Sequence, residues 1–168
     1  IYMPIEIQQK LLTYINAVTI EISGMGSGKL LDNSVVSIEE VFLFKQKCSA
    51  AETEIDGEDL AKFMGYRAKM GDNRPINFWW HSHVKMGCFW SMTDDENCKA
   101  MANGKDWIAS IVMCQDGRMR ARLDIGKPFK MSIDQIPVYI GVQAIDPLII
   151  NTLSKEAKSK VKERVNKV

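Results

Sequence analysis

Phe78-Trp79-Trp80-His81-Ser82-His83-Val84-Lys85-Met86-Gly87-Cys88-Phe89-Trp90-Ser91-Met92-Thr93-Asp94-Asp95-Glu96-Asn97 contains both histidines of the chain. One residue separates them, and on a β-strand residues i and i+2 point to the same face. The aromatic run Phe78, Trp79, Trp80 favours a strand leading into the pair. Two imidazoles then stand side by side, close enough to share a metal ion. Downstream, Thr93 and Glu96 have the spacing of a capping box, so a helix is expected to start there. Asp94 and Asp95 fall in its first turn, at the end of a loop able to fold back on the histidines. Spacing alone allows either carboxylate as a third ligand. Two imidazoles and one carboxylate leave a fourth position open, which is the arrangement of catalytic rather than structural zinc.

His81-x-His83 followed by Ser91 and Asp94 resembles the zinc signature of the JAB/MPN family, the JAMM metallopeptidases. That family also carries an upstream glutamate in the pattern Glu-x-x-Gly-x-x-x-Gly, and Glu21-Ile-Ser-Gly24-Met-Gly-Ser-Gly28 matches it. The resemblance spans residues 5 to about 145 and looks most like short prokaryotic or phage-type members. It implies an α/β fold: one domain over residues 1–168, a curved mixed β-sheet flanked by helices and similar to cytidine deaminases. It also implies a single catalytic zinc on His81, His83 and Asp94, with Glu21 as general base and the Ser91 hydroxyl donating to the oxyanion. The implied reaction is hydrolysis of a peptide or isopeptide bond, often at the C-terminal tail of a ubiquitin-like protein. The alternative is a non-catalytic MPN-type scaffold, although such members usually lose a ligand or the glutamate, and this chain keeps all of them. Family members often carry proline soon after the second histidine, where Val84 and Lys85 stand here.

Taken without the resemblance, Glu21 reads as a solvated strand residue and Ser91 as a turn or helix-start residue. Asp95 reads as a complement to the helix dipole. Trp79, Trp80 and Trp90 read as packing rather than substrate contacts. Two other chemistries fail on spacing. A P-loop needs glycine where Ser23 stands and Ser or Thr where Leu30 stands. A zinc deaminase needs His-x-Glu and a Pro-Cys-x-x-Cys pair, but His83 occupies the glutamate position and the cysteine pair is missing.

The formal net charge is +1 over 168 residues, which gives no global steering towards nucleic acid. The length suits one domain with a good core. No apolar run reaches membrane-spanning length, and no signal peptide is evident in a chain beginning at Ile1, so a cytoplasmic protein is expected. Cys48, Cys88, Cys98 and Cys114 form no Cys-x-x-Cys. Reduced thiols are the plain expectation, with a Cys88–Cys98 disulfide the alternative. Oligomeric state is left open.

Periodicity supplies the remaining elements. Ile7, Leu11, Ile15 and Val18 predict a helix over 5–17. Val18, Ile20 and Ile22 alternate as a strand that turns Glu21 away from them, and the glycines that follow mark a tight bend or a close backbone approach. Asp32-Asn33-Ser34 is a turn, 35–45 one strand or two, and 48–55 a polar loop. Asp56 caps a helix stopped by Gly71. Asn103-Gly104 ends the helix after the histidines. Trp107–Cys114 is a buried strand joined through Asp116-Gly117 to Met119–Ile125, whose arginines alternate outward. Strands are expected at 129–133 and 138–143. Asp146-Pro147 opens a final basic helix over about 147–168, with Ile149, Leu153, Ala157, Val161 and Val165 on one face. An extended substrate is expected to add to a sheet edge near His81–Ser91.

Overall fold

The structure, a computed structural model, describes residues 1–31, 34–49, 53–84, 87–141 and 147–163, the side chains of 147–150 and 163 excepted. In chain order the elements are β1 (Tyr2–Met3), α1 (Ile5–Asn16), β2 (Ser23–Leu31), β3 (Val35–Phe42), β4 (Gln46–Cys48), β5 (Thr53–Ile55) and α2 (Gly57–Lys69). They continue with β6 (Phe78–His83), α3 (Met92–Ala102), β7 (Trp107–Cys114), β8 (Met119–Ile125), β9 (Met131–Asp134), β10 (Tyr139–Ile140), α4 (Pro147–Lys160) and β11 (Val161–Glu163). Eight strands form one mixed sheet in the order β10-β1-β3-β2-β6-β7-β8-β9. It curls into a half-barrel flanked by the four helices, an α/β architecture consistent with an MPN fold. A small second sheet runs β11-β4-β5. No helix among the described residues is long and apolar enough to cross a membrane.

The histidine strand β6 lies near the middle of the large sheet, antiparallel to β2 and parallel to β7. Being bonded on both sides, it offers no edge of its own to a substrate. Among the described residues the outermost strands of this sheet are β10 and β9. Side-chain alternation along β6 divides the molecule. Phe78 and Trp80 enter the main core with Ile7, Leu11, Tyr14 and Ile15 of α1, and Trp80 stacks on Tyr14 at 6.2 Å between ring centroids. Trp79 points the other way, into a second apolar cluster with Cys98, Ala102 and Ile108. The histidines share that second face, below α3.

The segment from Val18 to Ile22 is not the strand its alternation suggests. Pairing begins at Ser23 and runs through the glycines to Leu31. Val18 and Ile20 alternate because both pack on the core, without a ladder. The glycines mark a close approach: a Cβ on Gly24 would stand 2.3 Å from the Phe42 carbonyl oxygen and 2.4 Å from the Trp80 ring. Glycine alone lets β3 and the indole come this near.

Several turns match their sequence signals. The Asp56 carboxylate accepts from the amides of Glu58 and Asp59 at the start of α2. Gly71, Gly104 and Gly117 take positive φ of 70°, 79° and 85° after α2, after α3 and in the β7–β8 hairpin. Other boundaries differ. Residues 46–48 and 53–55 pair as short antiparallel strands rather than forming a loop. The last helix stops at Lys160, and Val161–Glu163 instead pairs in parallel with β4. Arg164, Val165 and Lys167, the Asp32-Asn33 pair, Lys85, residues 142–143 and the Asp146 cap lie outside the described residues.

Candidate metal centre

His81 and His83 are 4% and 2% exposed, and both face α3. Among the described residues, one donor atom from each of His81, His83 and Asp94 lies within 4.8 Å of the other two. The Nε2 atom of His81 is 3.4 Å from Asp94 Oδ1, and that of His83 is 3.8 Å from Asp94 Oδ2. Two donors about 2.0–2.1 Å from one tetrahedral zinc stand roughly 3.4 Å apart. Neither ring nitrogen of His81 has a hydrogen-bond partner among the described residues, although both are buried. An orphaned buried nitrogen is costly unless something coordinates it. The Nδ1 atom of His83 lies 2.9 Å from the Gly87 carbonyl oxygen. The ring therefore donates Nδ1–H there and leaves the Nε2 lone pair free for a metal. The donor set fits zinc.

Asp94 is placed by the start of α3. Ser91, not Thr93, is the N-cap, and the capping box joins Ser91 to Asp94. The Ser91 Oγ accepts from the Asp94 amide at 3.1 Å. In return Asp94 Oδ2 accepts from the Ser91 amide at 2.9 Å and from its hydroxyl at 2.7 Å. The box thus fixes the carboxylate that meets the histidines, and the sequence reading was two residues late. Helix α3 is short, its apolar periodicity is weak, and Ser91-x-x-Asp94 competes with Thr93-x-x-Glu96 as a start signal.

Charge is distributed unevenly over these groups. Burial holds His81 below the ordinary imidazole value, against the pull of Asp94. For His83 burial also acts downward, but Asp94, the Gly87 carbonyl and Glu21 together raise it. Burial of Asp94 is outweighed by the two histidines and Ser91, which hold its carboxyl well below the usual range.

Glu21 precedes β2, on a stretch stitched to the histidine strand. Ile22 donates its amide to Ser82 Oγ at 3.0 Å, the Ser82 amide returns to the Ile22 carbonyl at 2.8 Å, and Ser23 pairs with His81. Its side chain is buried, not solvated, at 7% exposure. Burial pushes its carboxyl up to about 7; the His83 charge opposes this and the Asp94 charge adds to it. A carboxylate tuned to neutrality beside a metal-ligand cluster is suited to proton transfer.

Aromatic rings line the centre. Trp79 stacks on His81 at 4.5 Å, Phe89 meets His83 edge-on at 5.1 Å, and Trp90 lies 5.7 Å from His81. Cys88, in the loop between His83 and Ser91, is disulfide-bonded to Cys114 at the end of β7, with 6.0 Å between Cα atoms. This departs from both sequence expectations, four reduced thiols and a Cys88–Cys98 pair. Cys48 and Cys98 are buried free thiols. Arg122 was expected to face outward. It is instead 3% exposed and ion-paired to Asp95 and Asp124. Alternation along β8 gave no sign of this, because an arginine between apolar neighbours reads the same whether water or a buried aspartate faces it.

A half-barrel sheet with paired histidines on a central strand, facing an aspartate at a helix start, is the arrangement that the JAB/MPN resemblance implies. No protein-family profile matches the chain. It is 30% identical over 97 residues to the ubiquitin carboxyl-terminal hydrolase RPN11 of Saccharomyces cerevisiae, a stretch covering 57% of this chain and 32% of that protein. It is 30% identical over 103 residues to the 26S proteasome regulatory subunit RPN11 of Eremothecium gossypii (56% and 33%), and 25% identical over 97 residues to that of Candida glabrata (57% and 32%). The match thus spans about a third of the length of these curated relatives. This distant, partial homology supports a relationship to the JAB/MPN family.

Proposed function

We propose that the chain is a JAMM-type metallopeptidase that hydrolyses a peptide or isopeptide bond, with the C-terminal tail of a ubiquitin-like protein as its substrate. His81, His83 and Asp94 would hold one zinc ion, which supplies an acidified water and a polarised scissile carbonyl at neutral pH. Glu21 takes the proton of the attacking water and returns it to the leaving amine, so the proton balance closes on one side chain. The Ser91 hydroxyl, now donated to Asp94 Oδ2, turns to the developing oxyanion. Trp79 and Trp90 limit water around His81. Only four residues separate α3 from β7, which favours an open site of modest selectivity.

The observation carrying this reading is the buried His81 Nε2, without a hydrogen-bond partner among the described residues and 3.4 Å from Asp94 Oδ1. The name of the Saccharomyces relative supports the substrate class. The test is cleavage of ubiquitin-like fusions by wild type and Glu21→Gln, each with and without chelator. Chelator-sensitive cleavage by wild type alone is expected. The names of the Candida and Eremothecium relatives as regulatory subunits favour a second reading, a scaffold within an assembly. Zinc-independent partner binding without any cleavage would support that one.

A further inference from the structure

The ligand-bearing turn Ser91–Asp94 is gripped on both sides by one buried arginine. Arg122 projects from β8, where it pairs in register with Ser110 of β7 and Asp134 of β9. Asp124, on the same face of the strand, takes two of its nitrogens, Nε at 2.8 Å and Nη2 at 2.6 Å. Ser132 donates to the same carboxylate. That fork fixes the guanidinium plane. The remaining nitrogen, Nη1, reaches across to Asp95 Oδ1 on α3 at 2.7 Å. The guanidinium also lies 5.6 Å from the ring of Trp90. Asp95 immediately follows the ligand Asp94, and Trp90 immediately precedes the cap Ser91. Trp90 is pinned further, by an Nε1–H bond to Asp134 at 3.0 Å, and Asp134 is ion-paired with Arg120.

The capping box sets Asp94 relative to Ser91 but does not by itself set that turn relative to the sheet carrying the histidines. Arg122 does so, because it is anchored to the sheet through Asp124 and holds residues on both sides of the turn. We infer that Arg122 and Asp95 are positioning residues for the metal centre, fixing Asp94 against His81 and His83 without touching the metal. Burying the Arg122 guanidinium with the Asp124 carboxylate is expensive for stability alone, and the reach of Arg122 to Asp95 gives the expense a use. The inference rests on the zinc reading above.

The test measures zinc affinity by competition with a chromophoric chelator, alongside the thermal midpoint of each chelator-treated variant. Asp95 is the cleaner site, since its side chain is 38% exposed and its removal leaves the Arg122–Asp124 pair intact. Asp95→Ala is expected to weaken zinc binding by roughly 10–100-fold, the usual cost of losing an outer partner of a metal ligand, with little change in the metal-free midpoint. Asp95→Asn keeps an oxygen acceptor for Arg122 and should recover most of the affinity. Arg122→Lys retains the charge beside Asp124 but cannot form the fork, reach Asp95 and lie over Trp90 together. It should match Asp95→Ala, and the double variant should lose no more than either single. Lys99→Ala, which removes only the exposed partner of Asp95, should bind as wild type. Wild-type zinc affinity in Asp95→Ala, with binding abolished in His83→Ala, overturns this inference alone. A loss of affinity that follows a fall in the metal-free midpoint also overturns it. A wild type that binds no zinc overturns the metal reading together with it.

Discussion

The Nε2 atom of His81 faces Oδ1 of Asp94 at 3.4 Å, with neither nitrogen of that imidazole hydrogen-bonded among the described residues. Burial lowers the proton affinity of the ring, and the Ser91 bonds on Oδ2 leave Oδ1 directed at it. Purified protein is therefore expected to carry about one zinc per chain by elemental analysis, as one three-ligand site requires. His81→Ala, His83→Ala and Asp94→Ala should each lose it. Full retention in any of the three removes that residue from the ligand set.

Glu21→Gln should retain the metal, because Glu21 is not among the clustered donors. It should lose hydrolysis by about 10²-fold or more, since an amide cannot accept the water's proton. Single-turnover cleavage of a ubiquitin-like fusion, read beside metal content, separates binding from chemistry. Wild-type turnover in this variant would assign proton transfer elsewhere.

The same pattern reading succeeded at one end of the site and failed at the other, for physical reasons. Period-two geometry placed His81 and His83 correctly because β6 is a regular, fully buried strand. It took the connection carrying Glu21 for a strand, because the run Val18-Ile20-Ile22 buries its apolar residues from an irregular segment, and burial alone reproduces the alternation. The glycines after it read as a tight bend or a close backbone approach, and the structure shows the approach, at Gly24 against Phe42 and Trp80. The helix carrying Asp94 was legible and its cap was not, because two overlapping box signals lie two residues apart. The burial of Arg122 and the Cys88–Cys114 bond were invisible, as both depend on where the loop and helix after β6 come to lie against β7 and β8.

The glycine approach gives a stability prediction. Gly24→Ala would set a methyl against the Phe42 carbonyl oxygen and the Trp80 ring at 2.3 and 2.4 Å. Both neighbours are held, one in the β2–β3 ladder and one in the main core. Overpacking of this kind costs about 1–3 kcal/mol or more. Urea unfolding should show the loss. Gly57→Ala, where an added methyl meets nothing within 4 Å, should lie within about 0.5 kcal/mol of wild type. Equal midpoints for the two variants would mean that β2 and β3 do not approach as described.

Glu21 also predicts how the metal-free protein responds to pH. Burial raises its carboxyl from the ordinary 4.5 to about 7 in the folded chain. Below the lower value both folded and unfolded chains hold the proton, so the group is neutral to stability. Between the two values the unfolded chain ionises while the folded chain still pays to keep the proton, and stability falls as pH rises. Above about 7 the folded carboxyl ionises as well, and the penalty is complete. Glu21→Gln cannot ionise and escapes the penalty; it also removes the charge that helps to raise His83, so that imidazole differs between the two proteins as well. In chelator-treated samples the stability of Glu21→Gln relative to wild type should therefore rise by on the order of 2–3 kcal/mol between about pH 4.5 and pH 8. Added zinc, a cation beside the carboxylate, should shrink that difference in wild type's favour. Urea titrations at the two pH values measure it. A difference that does not change with pH would show that Glu21 ionises at its ordinary value and that its burial carries no proton-linked cost.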